Sequence, residues 1–325
     1  MFSRLLHSEC QRHKSLVRVE GTEAAPFLQG LITNDMSHLE DGATSMYSML
    51  LNTQGRVIFD SIVYKRNDNT FLLECESEKA SQLVRHLKMY KVRRKLIIDT
   101  VDKAYSVWCV YDPELNMKEI THVDMESLYM NPKAESEVAL PLTGAIDDVL
   151  VTRDPRMKYL GHRLIVPSSK SSLDDFVSGV QNSEGGFRNL RYRLGVGEGV
   201  LELPPTKSLP LEANLDYLHG VSFHKGCYIG QELTARTYHT GVIRKRYMPL
   251  VFSTDKQEPV TIDASVVNEK GKAVGKVRGI DGKFGIALLR VEECLKAESL
   301  MVNDIPVQTF RPAWWPIEAS KKMKL

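Results

Sequence analysis

One stretch of the sequence, His224-Lys-Gly-Cys-Tyr-Ile-Gly-Gln-Glu-Leu-Thr-Ala-Arg236, combines residues that can do chemistry with a spacing that can hold them in place. Gly226 and Gly230 flank Cys227 and permit a tight backbone on both sides of it. Lys225 precedes the cysteine, and the Gln-Glu-Leu-Thr-Ala-Arg that follows is predicted to begin a helix. A cation and a helix N-terminus both favour the thiolate. We therefore expect Cys227 to be the reactive or metal-binding cysteine of this chain.

Counting ligands limits what a single thiolate can do. Nucleophilic catalysis needs a positioned base, for which His224 is a loose candidate, and zinc would need three more ligands, with His219 and His239 nearby in sequence. One cysteine cannot build a Cys₄-type iron–sulfur cluster, although a partner or a small thiol could supply the other ligands. This predicts handover of a cluster rather than its storage. A structural cysteine in a glycine turn is the alternative, and a thiol oxidoreductase is disfavoured because no resolving cysteine lies near Cys227.

The overall composition is that of an ordinary globular protein. The 325 residues have room for two or three domains, and 42% of them are hydrophobic and 26% charged. The 43 basic and 41 acidic residues leave a net charge of +2, which is too balanced for a protein whose main partner is a nucleic-acid backbone. No apolar run approaches the roughly 18–20 residues that a membrane span needs, so we expect none.

The cysteines indicate a reducing compartment. They are Cys10, Cys75, Cys109, Cys227 and Cys294. Because they are odd in number, widely spaced and without a CxxC pair, neither a disulfide framework nor a self-contained zinc site is expected. The first residues, MFSRLLHSECQRHK, are basic, contain serine and include one acid, Glu9. They partly match a mitochondrial presequence, and a frayed basic N-terminus is the other interpretation.

The region from residue 16 to about 110 is predicted to be α+β. The predicted strands are Met46–Leu51, Arg56–Tyr64, Thr70–Cys75, Leu96–Ile98 and Tyr105–Val110. The polar tetrapeptide Asn52-Thr-Gln-Gly55 suits a hairpin loop between the first two. Thr22 can cap a short helix that carries Phe27 and Leu28. A longer helix is predicted by the apolar spacing of Ala80, Leu83, Val84 and Leu87.

A run of cations follows that longer helix. It consists of Lys88, Lys91, Arg93, Arg94 and Lys95. The run is compatible with a patch that binds phosphate or polyglutamate. The alternative is a solvated helix end whose cations complement the helix dipole.

The last quarter of the chain changes to short β-like runs separated by glycine turns. The runs are Met248–Phe252, Ala264–Val267, Lys272–Val277 and Phe284–Leu289. Closely spaced strands of this kind predict a small antiparallel barrel or sandwich. We therefore expect an α+β domain over residues 1–244 and a β-barrel domain over residues 245–325. A polar, weakly patterned segment at residues 112–138 is expected to be a surface insertion.

Several blocks of the sequence resemble the YgfZ-type proteins, which are relatives of the glycine-cleavage T-protein, a tetrahydrofolate-dependent aminomethyltransferase. The diagnostic motif is matched by Lys225, Gly226, Cys227, Gly230, Gln231, Glu232 and Arg236. Further matching blocks are Phe27–Asp35, Leu51–Asp60, Arg191–Gly195, Leu211–Asp216, Val274–Val277 and Gly285–Arg290. The variant of the motif, continued through Thr237–Arg246, is most similar to the mitochondrial branch of the family. The resemblance covers most of the chain except about residues 112–140 and 251–262.

The resemblance implies a ring of two ferredoxin-like α/β subdomains and a C-terminal antiparallel β-barrel, with tetrahydrofolate in a central channel. Asn34 and Asp60 would contact the folate, and Glu212 would accept hydrogen bonds from the pterin, whose paired donors suit a carboxylate. Arg236 would hold a carboxylate or order the cysteine loop. A surface ion pair of little energetic weight is the alternative for Glu212 and Arg236.

One departure from the family bears on activity. The aminomethyltransferases have two adjacent acids where this chain reads Phe59-Asp60. We therefore expect no aminomethyltransferase activity, with a tetrahydrofolate-dependent one-carbon transferase or demethylase as the alternative function.

The favoured interpretation is a maturation factor for [4Fe–4S] proteins in the mitochondrial matrix. The resemblance implies A-type iron–sulfur carriers as partners and lipoate synthase or aconitase-like proteins as clients. It also implies a transient cluster that Cys227 shares with a partner. We expect the free chain to be monomeric.

Overall fold

The computed structural model describes residues 5–120, 140, 142, 148–170, 173–175, 177–254 and 260–316. Residues 1–4 and most of the polar insertion expected at 112–138 lie outside the described residues. No helix in the described part of the chain combines the length and apolar character needed to cross a membrane.

The first sheet is antiparallel and has five strands in the order β3-β4-β5-β2-β6. Its strands are β2 (Lys14–Glu20), β3 (Ser45–Leu51), β4 (Val57–Asn67), β5 (Thr70–Glu76) and β6 (Ile97–Thr100). The accompanying helices are α1 (Ala24–Gln29), α2 (Ser37–Glu40) and α3 (Ser77–Lys91). Side chains from one face of the sheet pack with these helices into a separate core that includes Val19, Leu73 and Leu83.

Most local predictions for this region are confirmed. The Asn52 side-chain oxygen accepts hydrogen bonds from the backbone N–H groups of Gln54 and Arg56, 3.0 and 2.9 Å away, which closes the predicted hairpin between β3 and β4. The predicted capping of α1 by Thr22 is wrong. The helix begins at Ala24, the capping position falls on Glu23, and no side chain caps it.

The second sheet is mixed, in the order β10-β1-β7-β9-β8, with β1 and β10 parallel. Its strands are β1 (Leu6–Cys10), β7 (Tyr105–Tyr111), β8 (Leu150–Arg153), β9 (His162–Pro167) and β10 (Val180–Asn182). The chain begins in this sheet, crosses to the first sheet for β2 to β6, and returns for β7 to β10. The helices that follow are α4 (Gly186–Leu194), α5 (Gly199–Glu202) and α6 (Gln231–Thr240).

The C-terminal strands form a closed barrel in the order β11-β14-β13-β12-β15-β16. They are β11 (Lys245–Phe252), β12 (Ser265–Asn268), β13 (Ala273–Asp281), β14 (Phe284–Arg290), β15 (Leu300–Val302) and β16 (Ile305–Thr309). The short helix α7 (Val291–Lys296) joins β14 to β15. Every pairing in the barrel is antiparallel. The predicted α+β fold with a C-terminal antiparallel barrel is therefore confirmed.

Candidate functional site

Of the five cysteines, Cys227 alone is exposed. Cys75, Cys109 and Cys294 are buried in the packed interior, and Cys10 is half-buried. Burial raises the pKa of Cys75 and of Cys294 to about 12, so both remain thiols at neutral pH. Cys227 is therefore the cysteine most accessible to a ligand or reactant arriving from solvent.

Lys225 fixes the cysteine loop to the segment that follows α1. Its Nζ donates hydrogen bonds to the carbonyl oxygens of Gln29, Ile32 and Asn34, at 2.7, 2.9 and 2.6 Å. These three acceptors match the three donors of an ammonium group. Burial lowers the pKa of Lys225 to about 8, and the charge of Asp35 opposes the shift. The expected effect of Lys225 on the thiol beside it stays a prediction, and its contacts show that it also anchors the loop.

The backbone after Cys227 packs against the β3–β4 hairpin. Gly230 has φ +80°, and a Cβ on it would lie 2.8 Å from the Cβ of Leu51 and 3.1 Å from the Cα of Gly55. Only glycine combines this left-handed conformation with so close an approach. The Ile229 N–H also donates to the carbonyl of Gly30 at 3.2 Å. The cysteine loop is thus held by both N-terminal blocks that resemble the family.

The helix predicted after the cysteine is confirmed as α6, which begins at Gln231. The Gln231 Oε1 accepts a hydrogen bond from the Tyr228 N–H at 3.1 Å, which ties the loop to the first residue of the helix. Glu232 and Arg236 are exposed on α6. Gly226, next to the cysteine, faces open space.

Aromatic side chains from the segment before Cys227 and from the end of α6 pack against each other. The rings of Phe223 and Tyr238 stack with centroids 3.7 Å apart, and the His239 ring lies 5.2 Å from Tyr238. His224 is exposed. No group of three or more metal-ligating side chains occurs among the described residues, so Cys227 belongs to no preformed site of that size in this part of the chain.

A second cluster of charged side chains forms a buried ionic network between the two sheets. Glu198 lies at its centre: its carboxylate contacts Lys14 at 2.8 Å, Arg156 at 2.6 Å and Arg163 at 2.8 Å. These cations hold the pKa of Glu198 well below its usual range. The remaining members are Glu74, Asp154, Arg191 and Glu202. Four cations and four acids thus balance, as buried charges must.

Asp60 lies at the edge of this network. Both its carboxylate oxygens accept from the backbone N–H of Gly199, at 3.1 and 3.2 Å. Burial raises the pKa of Asp60, and the nearby Lys14 ammonium opposes that shift. The hydroxyl of Tyr47 is buried without a hydrogen-bond partner among the described residues. Burial and the charge of Asp60 raise the pKa of Tyr47 well above its ordinary value.

Phe59 faces the opposite side of β4 from Asp60, because successive side chains of a strand alternate. It packs into the core beneath α3, with its ring 6.1 Å from that of His86. An acid at position 59 would be buried there and would not stand beside Asp60. The two positions therefore face different surroundings in this fold, and the absence of aminomethyltransferase activity stays a prediction.

The other two predicted folate contacts have different partners from Asp60. The Asn34 amide donates to the carbonyl oxygens of Tyr47 and His219, both at 2.8 Å, so its two N–H groups are in use. Glu212 lines a cleft of about 190 Å³ between α6 and the start of β11. There its carboxylate lies 3.5 Å from Lys245. Asp60, Asn34 and Glu212 remain predictions for folate binding, each with different surroundings.

Sequence reasoning missed Glu198, Lys14 and Tyr47. Lys14 was considered only as part of a basic N-terminus, and Tyr47 only as a strand residue. A signal existed for Glu198, because it stands between two glycines, Gly197 and Gly199. Gly199 has φ +79°, and a Cβ on it would collide with the Glu76 carboxylate. A glycine-flanked acid of this kind marks a close backbone approach.

Known proteins match the chain in both halves and over its length. Residues 11–127 match the GCVT N-terminal domain, and residues 244–317 match the CAF17 C-terminal beta-barrel domain. Iron–sulfur cluster assembly factor IBA57, mitochondrial, of Mus musculus is 37% identical over 94% of this chain and 84% of its own length. The Homo sapiens protein of the same name is 36% identical over 93% and 83%.

A crystal structure of the glycine cleavage system aminomethyltransferase T from Bartonella henselae has the same fold. It covers 95% of this chain and 86% of its own, with a TM-score of 0.68 and 17% identity. The expected likeness to that family and the expected mitochondrial localisation are both confirmed. The chain belongs to the IBA57 family of mitochondrial iron–sulfur cluster assembly factors.

Proposed function

We propose that this chain is a folate-binding maturation factor for [4Fe–4S] proteins of the mitochondrial matrix, and that Cys227 is a ligand of a cluster shared with a carrier. The observation that carries the proposal is the exposed Cys227 thiol on a loop anchored by Lys225. A thiol on a mobile loop would lose conformational freedom when it binds a cluster, and this loss would weaken binding. This loop is already fixed by hydrogen bonds to two other segments.

Ligand counting assigns the rest of the coordination to a partner. A cluster needs four ligands, and the described residues around Cys227 supply one. In the shared state a bond forms between the Cys227 sulfur and one iron, an outgoing thiolate leaves that iron, and the Cys227 proton passes to solvent. No electrons are transferred. The chain would therefore accept a cluster only from a partner that retains the other ligands.

The resemblance to the family supports A-type iron–sulfur carriers as the partners, with lipoate synthase and aconitase-like enzymes as clients. The Lys225–carbonyl bonds keep the thiol in position for a docked carrier. We expect the free chain to be a monomer.

We propose that tetrahydrofolate binds beside Asp60. An ionised or neutral carboxyl beside a buried, unpartnered Tyr47 hydroxyl offers hydrogen bonds to a polar ring. Asp60 would accept from the pterin N–H groups, and Tyr47 would donate to a ring nitrogen or the carbonyl. Bound folate would supply nitrogen atoms that can carry a one-carbon unit. Glu212, which the resemblance assigns to the pterin, lines the cleft beside Lys245 and would contact the part of the ligand that reaches this cleft.

The alternative function, a folate-dependent one-carbon transferase or demethylase, is favoured by one observation. Asp60 is retained on the face that carries the ionic network, while position 59 faces elsewhere. An assay with glycine-cleavage partners and tetrahydrofolate separates the two functions. Turnover no higher than background supports the proposal of a maturation factor. Turnover that disappears in Asp60→Asn would support the transferase instead.

The main experiment is anaerobic mixing of the full chain with an A-type carrier that holds a [2Fe–2S] cluster. Visible circular dichroism should change on mixing with the native chain and should not change with Cys227→Ser. Cys10→Ser is the matched control, because Cys10 is half-buried and outside the loop. The chain alone should be nearly free of iron. An unchanged shared cluster in Cys227→Ser would overturn the mechanism.

A further inference from the structure

The C-terminal end of α3 carries an unusual concentration of positive charge. Residues 79–98 contain seven lysines and arginines and no acid, in a chain with nearly equal numbers of the two. A helix of this length needs only one or two cations in its last turn to complement its dipole. The excess therefore calls for another explanation.

Several of these cations share a solvent face with apolar side chains. Leu83 and Leu87 are on the buried face of α3, whereas Arg85, Lys88 and Met89 are exposed on the other. The Met89 side chain is 64% exposed. Residues spaced three or four apart on a helix lie side by side, so the apolar Met89 is flanked by charge.

Not all of the cations belong to this face. The Arg94 guanidinium lies 3.8 Å from the carboxylate of Glu23 and 5.6 Å from the centre of the Phe27 ring, so it packs against α1. Asp99, the first acid after the run, pairs with Arg18 at 2.7 Å. We call Arg85, Lys88, Met89, Val92, Arg93 and Lys95 the basic tip.

Val92 stands at the apex of the basic tip in a conformation that valine rarely adopts. Its φ is 50° and its ψ is −111°, and the Arg94 N–H donates to the carbonyl of Lys91 at 3.0 Å. This is the first central position of a type II′ turn, where glycine is strongly preferred. The side chain is 82% exposed, the highest of the exposed large hydrophobic residues in the described structure. The fold gains no packing from it and bears its strain.

We propose that the basic tip docks the protein on an anionic lipid surface. The cations are complementary to acidic headgroups, and each contributes about fivefold to the partition coefficient when it lies near such a surface. Met89 and Val92 project from the same end and enter the boundary between headgroups and acyl chains, as the apolar residues of interfacial segments do. The six residues of the basic tip are fewer than the about 20–30 residues that each side of a standard protein interface uses, and their charge and exposed apolar side chains favour a lipid surface.

Vesicle flotation of the full chain tests this surface. The native protein should float with vesicles of phosphatidylcholine and phosphatidylglycerol, and it should stay at the bottom with phosphatidylcholine alone. Lys88→Glu with Arg93→Glu should lower binding by at least about 20-fold, since two favourable charges become unfavourable. The charge-matched control is Lys276→Glu with Lys283→Glu, two exposed barrel residues, which should leave binding within about twofold.

Val92→Gly separates lipid contact from folding. Glycine suits the turn, so this variant should unfold at the same or a higher denaturant concentration than the native chain, while vesicle binding falls about fivefold. Failure to float with anionic vesicles overturns the proposal. Equal flotation of the native chain and both tip variants overturns it as well. Loss of binding in the charge variant but not in Val92→Gly rejects insertion. Binding to soluble polyglutamate without flotation would instead indicate an acidic protein partner.

Discussion

Gly55 and Gly230 lie back to back, one in the β3–β4 hairpin and one at the start of α6. A Cβ on Gly55 would lie 3.0 Å from the carbonyl oxygen of Gly230, and a Cβ on Gly230 would lie 3.1 Å from the Cα of Gly55. Both have positive φ. The cysteine loop is therefore seated on the hairpin by direct backbone contact, without intervening side chains.

This contact predicts opposite outcomes for two glycines of one loop. Gly230→Ala should lower the free energy of unfolding by about 2–4 kcal/mol, because it combines a strained φ with a backbone clash. Gly226→Ala should change it by less than about 0.5 kcal/mol, because a Cβ there meets nothing within 4 Å. Chemical denaturation measures both. Equal destabilisation would contradict the packing described for the loop.

Lys225 predicts a pH dependence of stability. Its pKa in the folded chain is about 8, against 10.5 for an ordinary lysine, so between these values the unfolded chain holds more protons. Stability attributable to Lys225 therefore rises as pH increases from about 8 to 10.5. Unfolding measured across this range should show a steeper rise in the native chain than in Lys225→Met. Parallel curves would show that Lys225 keeps its proton through the three carbonyl contacts.

Lys225→Met should also weaken cluster sharing without removing the thiol. The methionine side chain cannot donate to the three carbonyl oxygens, so the loop loses its anchor. We expect a several-fold weaker complex with a cluster-loaded carrier, measured by titration, and an unchanged count of reactive thiols in the native state. Complete loss of the complex would instead indicate that Lys225 contacts the carrier.

Replacing Asp60 by asparagine should make the fold more stable and should weaken tetrahydrofolate binding. Burial raises the pKa of Asp60, so the folded state disfavours the ionised carboxylate. As the pH rises from the pKa of the unfolded chain to that of the folded chain, ionisation of Asp60 therefore lowers the stability of the fold. Asp60→Asn keeps an acceptor for the Gly199 N–H and should be more stable at pH 7.5. Calorimetry should find weaker tetrahydrofolate binding for the same variant.

Two companion variants sharpen that measurement. Tyr47→Phe removes a hydroxyl that has no partner in the described structure, so it should leave stability unchanged or improved while weakening folate. Glu212→Gln lies in the other cleft, and it weakens folate only if the ligand extends there. Folate affinity that is unaffected by Asp60→Asn and Tyr47→Phe but lost in Glu212→Gln would transfer the pterin to the cleft beside α6.

Local features of this chain were readable from its sequence, and distant pairings were not. The hairpin at Asn52–Gly55 and the helix after Cys227 follow from turn chemistry and spacing within a few residues. The bond from Lys225 to the Asn34 carbonyl joins positions 191 residues apart, and no local pattern encodes it. Sequence proximity pointed to the neighbouring thiol and gave no sign of these carbonyl contacts.

The opposite orientation of Phe59 and Asp60 could have been predicted from the sequence. The alternation of a strand already predicts that adjacent side chains face opposite ways, and the strand itself was predicted. The two residues were nevertheless compared as a pair because the family resemblance presents them as one. The network around Glu198 was hidden for a third reason: its members are spread from Lys14 to Glu202, and charged residues at such positions are normally exposed.

The balanced network between the sheets has a consequence for inherited or acquired substitutions. Replacing Arg163 by a neutral residue would leave the buried carboxylates of Glu74, Asp154 and Glu198 without one of their cations. This would lower the free energy of unfolding by about 3–5 kcal/mol. That is a large fraction of the stability of an ordinary protein. In a cell such a variant would be degraded, and its phenotype would be scarcity of the protein, although every residue of the cysteine loop is intact. Measurements of abundance are therefore needed to tell such variants from those that damage Cys227.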